Sequence, residues 1–168
     1  MPIENLYTTD CIRTVSGVYV NVFEPKPEMF NIEDIAHALS HQCRFGGHLP
    51  VFFSVAEHCI NCDKIIHTPH RFDALMHDCS EAYLLDIPKP IKDKILDYLI
   101  IEDNLMKVLS AKFGFNYPLS DEVKKVDKAM LEWEWQFIML EHKNFHLPTF
   151  SPAEAKQKFI ELFKLLKP

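Results

Sequence analysis

The sequence predicts an all-α protein, a bundle of about six helices that carries a short β-hairpin at its N-terminus. Apolar residues recur at spacings of three and four positions from residue 32 onward. Helix-capping residues precede several of these periodic segments. Before residue 24, β-branched and aromatic residues instead flank the pair Ser16-Gly17, which is typical of two short strands.

The size and composition indicate one globular domain over residues 1–168. Hydrophobic residues make up 48% of the chain and charged residues 25%, as in ordinary globular proteins. We expect a cytoplasmic protein with reduced cysteines, because Met1–Tyr7 lacks a signal-peptide pattern and no apolar run approaches the ~20 residues that span a membrane. The net charge of −6, with dispersed lysines and arginines, argues against a nucleic-acid partner but permits a small anionic substrate.

The N-terminal third contains a hairpin and two helices. Residues 11–22 form the predicted hairpin, with Ser16-Gly17 as a two-residue turn. Asn31 suits the cap of the first helix, and two glycines and a proline in 43–50 predict a loop after it. Ser54-Val-Ala-Glu57 has the spacing of a capping box, which opens the second helix.

The remaining elements are also predicted to be helical. Thr68-Pro69 separates the second helix from one that contains residues 74–83, and the prolines of 85–90 predict a rigid loop. Three more helices are predicted. The first covers 91–113, with Ile95 and Leu99 inward and Gly114 as its stop. The second covers 121–141, is capped by Ser120 and has Val123, Met130, Phe137 and Ile138 inward, and the third is opened by the capping box Ser151-Pro-Ala-Glu154.

The stretch Ala74–Tyr83 places polar groups in an apolar, helix-forming segment. A buried His77 beside Asp78 requires compensation, which a shared metal ion would supply. On one continuous helix, Glu81 would lie on the same face. For the dipeptide His77-Asp78 taken alone, the alternative to a metal site is that the pair occurs by chance.

Two distant residues extend this hypothesis. His58 lies beside an apolar stripe and Asp127 lies within one, although a satisfied core histidine and a buried ion pair are the respective alternatives. Imidazole and carboxylate ligands suit zinc, manganese, iron, cobalt or nickel. Cys59-x-x-Cys62 lacks a second pair at matching spacing, so we expect it to pack as reduced thiols rather than bind zinc.

The order His58, His77-Asp78 and Asp127 resembles the H…HD…D signature of the HD superfamily of metal-dependent phosphohydrolases. The similarity extends over Ile32–His48, Ser54–His58 and Leu75–Pro90. These segments resemble the branch that contains bacterial 5′-deoxynucleotidases and phage dATP triphosphohydrolases. The resemblance implies an HD-domain-like helical bundle and a homo-oligomeric state.

The resemblance also implies residue roles. The metal ligands would be His58, His77, Asp78 and Asp127, which would hold one divalent transition metal ion (zinc, manganese, cobalt, nickel or iron) or a pair of divalent ions. Glu81 and Asp86 would be catalytic carboxylates. The implied or candidate substrate-binding residues are Arg44, His48, Lys89 and Lys92, with His37 and His41 as further candidates.

The expected reaction is metal-assisted hydrolysis of a small nucleotide, in which activated water attacks phosphorus. The substrate is a (deoxy)nucleoside monophosphate, as for a 5′-nucleotidase, or a deoxynucleoside triphosphate. Hydrolysis of an alarmone or cyclic nucleotide is one alternative, and a non-catalytic helical binding module with a structural metal is another. Candidates for base stacking are Phe45, Phe52, Phe53, Tyr83 and Trp133, although helical aromatics more often belong to the core.

Overall fold

The computed structural model describes residues 10–67, 69–141 and 149–168. Over these residues the chain is mostly helical and carries one two-stranded antiparallel sheet, which confirms the predicted class at that level. Thr68, one half of the predicted Thr68-Pro69 boundary, lies outside the described residues. No helix within the described ranges has both the length and the apolar character needed to cross a membrane.

The hairpin forms where it is predicted, but its turn is longer. Strands β1 (Cys11–Arg13) and β2 (Tyr19–Asn21) pair antiparallel, with Ile12 opposite Val20. The predicted two-residue turn is wrong, because residues 14–18 form the connection, in which the Thr14 N–H donates to the Val18 carbonyl at 2.9 Å. Gly17 has a φ of 88°, a backbone conformation that glycine adopts without strain.

Helices α1 (Ile32–His41) and α2 (Val55–Ile65) begin at the predicted caps. The Asn31 side chain accepts from the Asp34 N–H, and the Ser54 hydroxyl accepts from the Glu57 N–H. The Glu57 carboxylate does not complete the capping box at Ser54. It accepts instead from the Phe150 N–H at 3.0 Å, so it ties α2 to the segment before the last helix.

The prediction of one helix through residues 74–83 is wrong. Helix α3 (Arg71–Met76) ends before the histidine, and helix α4 (Glu81–Leu84) starts after a turn. Two bonds of i→i+3 type tighten this turn, from the Cys79 N–H to the Met76 carbonyl and from the Glu81 N–H to the Asp78 carbonyl.

The predicted helix over 91–113 is also interrupted. A single turn, α5 (Lys89–Lys92), precedes α6 (Leu96–Phe113), which ends at Gly114 with a φ of 88° as predicted. Ile95 and Leu99 are 40% and 39% exposed, so their predicted inward orientation is wrong. Ile95 is the N-cap residue of α6, and Leu99 lines a cavity rather than the core.

Helix α7 (Asp121–Glu134) is capped by Ser120 and continues as a π-helical segment, Trp135–Leu140. The π-helical segment holds more residues per turn than an α-helix, so it rotates the side chains that follow. Phe137, predicted to face inward, is therefore 43% exposed, whereas Ile138 is buried.

Helix α8 (Pro152–Leu166) starts at a complete capping box, as predicted. Its residues Ala155, Phe159 and Phe163 join a single large core cluster with side chains from α1, α2, α3 and α6. Helix α2 lies between α1, α3, α7 and α8, which places its residues at the centre of the molecule.

Glu57 provides a pH-dependent test of this packing. Burial raises its pKa to about 7, although the hydrogen bond from Phe150 partly opposes this shift. An unfolded glutamate has a pKa of about 4.3. Between that pH and about 7 the folded chain therefore binds more protons than the unfolded chain does, and the free energy of unfolding falls as pH rises. We predict that Glu57→Gln, which cannot ionise, becomes more stable relative to wild type between pH 5 and pH 8.

Urea unfolding at the two pH values measures this difference. Glu161→Gln, at an exposed position of α8, is the matched control and should track wild type at both. An equal stability difference between Glu57→Gln and wild type at pH 5 and pH 8 would contradict the prediction.

Candidate metal centre and cavity

A cavity of about 980 Å³ opens beside the turn that joins α3 to α4. Its wall brings together segments from the loop after α1, the α3–α4 region, α5 and α7. The predicted site residues on this wall are Arg44, His48, Asp78, Glu81, Asp86, Lys89, Lys92 and Asp127.

The four predicted metal ligands converge. His58 Nε2 lies 3.2 Å from His77 Nε2 and 3.2 Å from Asp127 Oδ1. His77 Nε2 lies 3.2 Å from Asp78 Oδ2. The two remaining imidazole–carboxylate separations, from His58 to Asp78 and from His77 to Asp127, are both 3.7 Å.

These separations fit ligands of one ion. Nitrogen and oxygen ligands lie about 2.0–2.2 Å from zinc, so two of them in a tetrahedral site are about 3.3–3.6 Å apart. The observed values of 3.2 and 3.7 Å bracket that range. The donor set of two imidazoles and two carboxylates is one that first-row transition metals accept.

Hydrogen bonds orient both imidazoles toward the shared centre. His77 Nδ1 lies 2.7 Å from the Ala74 carbonyl, which only accepts, so Nδ1 carries the proton. His58 Nδ1 lies 2.6 Å from Glu134 Oε1 and donates to that carboxylate. In their neutral forms the two rings therefore direct unprotonated Nε2 atoms at each other, an arrangement that a cation between them would stabilise.

The electrostatics favour positive charge at this position. Burial lowers the pKa of His77, but Asp78 and Asp127 raise it, and the net pKa lies well above its ordinary value. Burial raises the pKa of Asp78, but the charge and hydrogen bond of the adjacent His77 outweigh this effect and lower the pKa to about 2. The pKa of Asp127 is also lowered, by hydrogen bonds from both histidines, which outweigh its desolvation. A proton or a metal ion is thus strongly attracted to this group.

The solvent exposure of Asp127 differs from the prediction. Its side chain is 43% exposed rather than buried in an apolar face, because it lies on the cavity wall. His58 and His77 are buried behind it. The candidate metal site therefore has a carboxylate side toward the cavity and an imidazole side toward the core.

The loop after α1 places Arg44 beside this centre. The backbone N–H of Arg44 donates to the Phe53 carbonyl at 2.9 Å, and Cys43 and Ser54 form a β-bridge. Phe45 and Gly46 then adopt left-handed conformations with φ of 55° and 61°. The strain at Phe45 is of order 1 kcal/mol, and such strain is typical of functional loops.

Arg44 is buried and paired on two sides. Its Nε and Nη2 groups donate to Glu134 Oε2 at 3.3 and 3.2 Å, and Nη1 donates to Asp86 Oδ2 at 3.2 Å. Burial lowers the pKa of Arg44, but Glu134 and Asp86 raise it, so the guanidinium stays charged. Three of its five N–H donors are used within the described residues, which leaves two for a ligand in the cavity.

Glu81 is a buried acid with an unpaired oxygen. Within the described residues its Oε2 has no hydrogen-bond partner, and its Oε1 is 3.9 Å from Lys92 Nζ. Desolvation, reinforced by the charges of Asp78 and Asp86, raises the pKa of Glu81 well above its ordinary value. The side chain therefore holds a proton more readily than a typical glutamate.

Asp86 sits at the start of the proline-bounded loop. Desolvation raises its pKa, an effect that the ion pair with Arg44 partly offsets. The Gln42 side chain fixes this region, because it accepts from the Asp86 N–H at 3.2 Å and donates to the Glu81 carbonyl at 2.9 Å. Both candidate catalytic carboxylates are thereby linked to the loop that carries Arg44.

The other predicted substrate-binding residues lie nearer the rim. Lys92 donates to Glu102 at 2.6 Å, and the 79% exposed Lys89 lies 3.3 Å from Asp93. His48 is exposed on the cavity wall. His37 and His41 stack on each other at 4.1 Å on α1 and are not among the described residues that form the wall.

Two of the five aromatic residues considered for base stacking belong to the core. Phe53 and Tyr83 are buried, whereas Phe45 lies on the cavity wall. Trp135 also lies there, 49% exposed, with its ring centroid 6.1 Å from that of Phe45. A signal for Trp135 was present in the sequence, since it follows Asp127 and Leu131 at four-residue steps and so lies on the same helix face.

Sequence reasoning also missed Glu134 and Gln42. Glu134 is fully buried, and its two oxygens contact the candidate ligand His58 and Arg44. A signal was present, since Glu134 lies seven residues after Asp127, two helical turns along one face of α7. Gln42 had no comparable signal.

The thiols of α2 adjoin the metal centre. Cys59 and Cys62 are buried and reduced, as predicted, and both belong to core clusters. Cys62 Sγ is also 3.6 Å from His58 Nε2. The donors of His58, Cys62 and His77, and those of Cys59, His77 and Asp78, form two groups within 4.8 Å that could hold a metal ion.

The fold and the site define the class as a helical protein with a buried histidine–aspartate cluster, able to hold a metal ion, at the wall of a cavity. The chain is 38% identical over 148 residues to YfdR of Escherichia coli (strain K12), a match that covers 88% of this chain and 83% of that protein. It is 31% identical over 157 residues to RCAP_rcc00048 of Rhodobacter capsulatus, covering 88% and 78%. Both relatives are uncharacterized proteins, and no protein-family model matches the chain. The chain belongs to the YfdR family.

Glu134 should control metal affinity through His58. In Glu134→Gln the carboxamide presents an NH₂ group to a site where His58 and Arg44 both donate, so it cannot satisfy both. We predict that zinc affinity falls about tenfold to a hundredfold, the usual effect of removing a partner of a ligand histidine.

Competition against a coloured chelator measures this affinity. Glu132→Gln is the control, because its side chain is 68% exposed on the same helix, and it should bind zinc as wild type does. Unchanged affinity in a folded Glu134→Gln protein would contradict this assignment.

Proposed function

We propose that this protein is a metal-dependent phosphohydrolase of the HD superfamily that releases phosphate from a (deoxy)nucleoside monophosphate. One observation supports this most. His58, His77, Asp78 and Asp127, which are separated by up to 69 positions in sequence, bring their donor atoms within 3.7 Å of His58 or His77 Nε2, beside a cavity that also contains Arg44 and Glu81.

The four ligands define what the site would supply. A divalent transition metal ion held there would lower the pKa of a bound water and polarise a phosphoryl oxygen. Asp78 and Asp127 present this position to the cavity, while Glu134 and the Ala74 carbonyl keep both imidazoles in the tautomer that ligation requires.

Arg44 is the proposed phosphate-binding group. Its contacts with Glu134 and Asp86 fix the guanidinium plane before substrate arrives, so little rotamer freedom is lost on binding. Its two remaining N–H donors match two oxygens of a phosphoryl group. In the transition state they stabilise the charge that develops on those oxygens.

Glu81 is the proposed proton donor. Burial and the charges of Asp78 and Asp86 raise its pKa well above the ordinary value, which favours the protonated carboxyl group, and the side chain lines the cavity. Transfer of that proton to the ester oxygen would let the nucleoside depart as an alcohol, which is a better leaving group than an alkoxide.

The charge of the cavity supports a monophosphate over a triphosphate. Among the described residues, the wall carries five carboxylates, those of Asp78, Asp86, Asp93, Asp127 and Glu132, besides the acid Glu81, against three fixed cations, Arg44, Lys89 and Lys92. Each cation already lies within 3.3 Å of a carboxylate. A phosphate monoester adds about two negative charges, and a triphosphate adds more, for which the described part of the wall offers no further cation.

The cavity also suits a nucleoside. Its volume of about 980 Å³ exceeds the needs of a phosphate group alone and falls in the range of cavities that bind drug-sized ligands. Phe45 and Trp135 provide aromatic surface on its wall, and Ile87, Leu99 and Met139 add further apolar surface.

A panel of nucleoside mono- and triphosphates tests this proposal, with manganese, cobalt or zinc supplied and products identified as phosphate, pyrophosphate or triphosphate. We expect phosphate from monophosphates and none after chelation. Triphosphate release would keep the hydrolase and overturn the monophosphate preference. No product from any nucleotide, with metal bound, would favour a non-catalytic binding module.

The central carboxylate gives a second test. We predict that Asp78→Ala abolishes phosphate release while the helical circular dichroism signal is retained, because a ligand facing the cavity is lost and α3 keeps its backbone bonds. Asp93→Ala, at an exposed carboxylate of the same cavity, should retain activity. Full activity in Asp78→Ala would refute the mechanism.

A further inference from the structure

We propose that Cys62 is a fifth protein ligand of the metal centre, bound through its thiolate sulfur. This inference rests on the proposed metal site and adds to it a soft donor on the side away from the cavity.

The position of the sulfur fits ligation. Cys62 Sγ lies 3.6 Å from His58 Nε2, close to the separations that the imidazole and carboxylate donors show from that atom. A zinc–sulfur bond is about 2.3 Å and a zinc–nitrogen bond about 2.0–2.1 Å. Neighbouring ligands of a five-coordinate ion subtend angles of about 90° to 120°, so the sulfur and nitrogen atoms would be about 3.1–3.8 Å apart, a range that includes the observed distance. The same sulfur groups with the His58 and His77 donors within 4.8 Å.

The helix places this thiol on the same face as His58. Cys62 follows His58 by four residues in α2, so the two side chains lie one above the other. Cys59, which directly follows His58, points about 100° away around the helix. Its sulfur groups instead with the His77 and Asp78 donors.

The surroundings of Cys62 put it on the core side of the centre. Its side chain is 1% exposed and packs with Ile66, Ala74, Val123 and Met130. Among the described residues, the cavity wall includes Asp78 and Asp127 but not Cys62. Ligation by this thiol would therefore leave the cavity-facing side free for water and phosphate.

A thiolate changes which ions the site selects. Soft sulfur ligands favour zinc over manganese, which prefers oxygen donors. Formation of the metal–sulfur bond displaces the thiol proton to solvent, so ion binding releases one more proton than imidazole and carboxylate ligands require. The expected metal is thus zinc or cobalt rather than manganese.

Cobalt(II) loading of the full-length protein tests the proposal spectroscopically, without reference to activity. We expect a thiolate-to-cobalt charge-transfer band in the near ultraviolet, alongside the weaker visible bands of the ion. Cys62→Ala should remove the ultraviolet band and weaken zinc binding by about tenfold or more. Cys59→Ala, at an equally buried position of the same helix, should keep the band.

The outcomes separate the two hypotheses. Visible cobalt bands without a thiolate band, or a thiolate band that disappears in Cys59→Ala and persists in Cys62→Ala, would overturn the role of Cys62 and keep the metal site. A protein that binds neither cobalt nor zinc would overturn both. X-ray absorption on the wild-type zinc protein serves if Cys62→Ala fails to fold: one sulfur at about 2.3 Å supports the proposal, and nitrogen and oxygen alone refute it.

Discussion

Two imidazole nitrogens, Nε2 of His58 and Nε2 of His77, lie 3.2 Å apart and set the central constraint of this structure. Each ring has its Nδ1 proton engaged, one by a backbone carbonyl at the end of α3 and the other by a carboxylate from α7. The rings cannot turn away without leaving a buried polar group unpaired, which would cost about 1–3 kcal/mol. The Nε2 atoms are thus held at a position that calls for positive charge, and Asp78 and Asp127 increase that demand.

Glu134 connects this centre to the cation beside it. One of its oxygens accepts from His58 and the other accepts from Arg44, and all three side chains are buried. An isolated carboxylate would be strongly disfavoured in such an environment, but the two donors compensate it. The orientation of a metal ligand and that of an arginine therefore depend on one side chain, so a disturbance at either residue should reach the other.

The break between α3 and α4 shapes the cavity. A continuous helix would have placed His77, Asp78 and Glu81 on one rigid face. The turn at residues 77–80 instead lets His77 face the core while Asp78 and Glu81 reach the cavity wall. Gln42 then holds the segment from Glu81 to Asp86 against the loop of Arg44, so that the carboxylates and the guanidinium lie together on the cavity wall.

The sequence alone determined the helical class and the caps at Asn31, Ser54, Ser120 and Ser151, because periodicity and caps are local properties of residue types. It also marked His58, His77, Asp78 and Asp127 as candidate ligands through their residue types. Tertiary structure decided the split of the helix at Met76, the π-helical segment that exposes Phe137, and the buried role of Glu134. These features depend on hydrogen bonds and packing between distant segments, such as Glu134 with His58 across 76 positions. The imidazoles of His58 and His77 depend on both the sequence and the tertiary structure. Their residue types marked them as candidate ligands, but only the packing of α2, α3 and α7 brings their Nε2 atoms together.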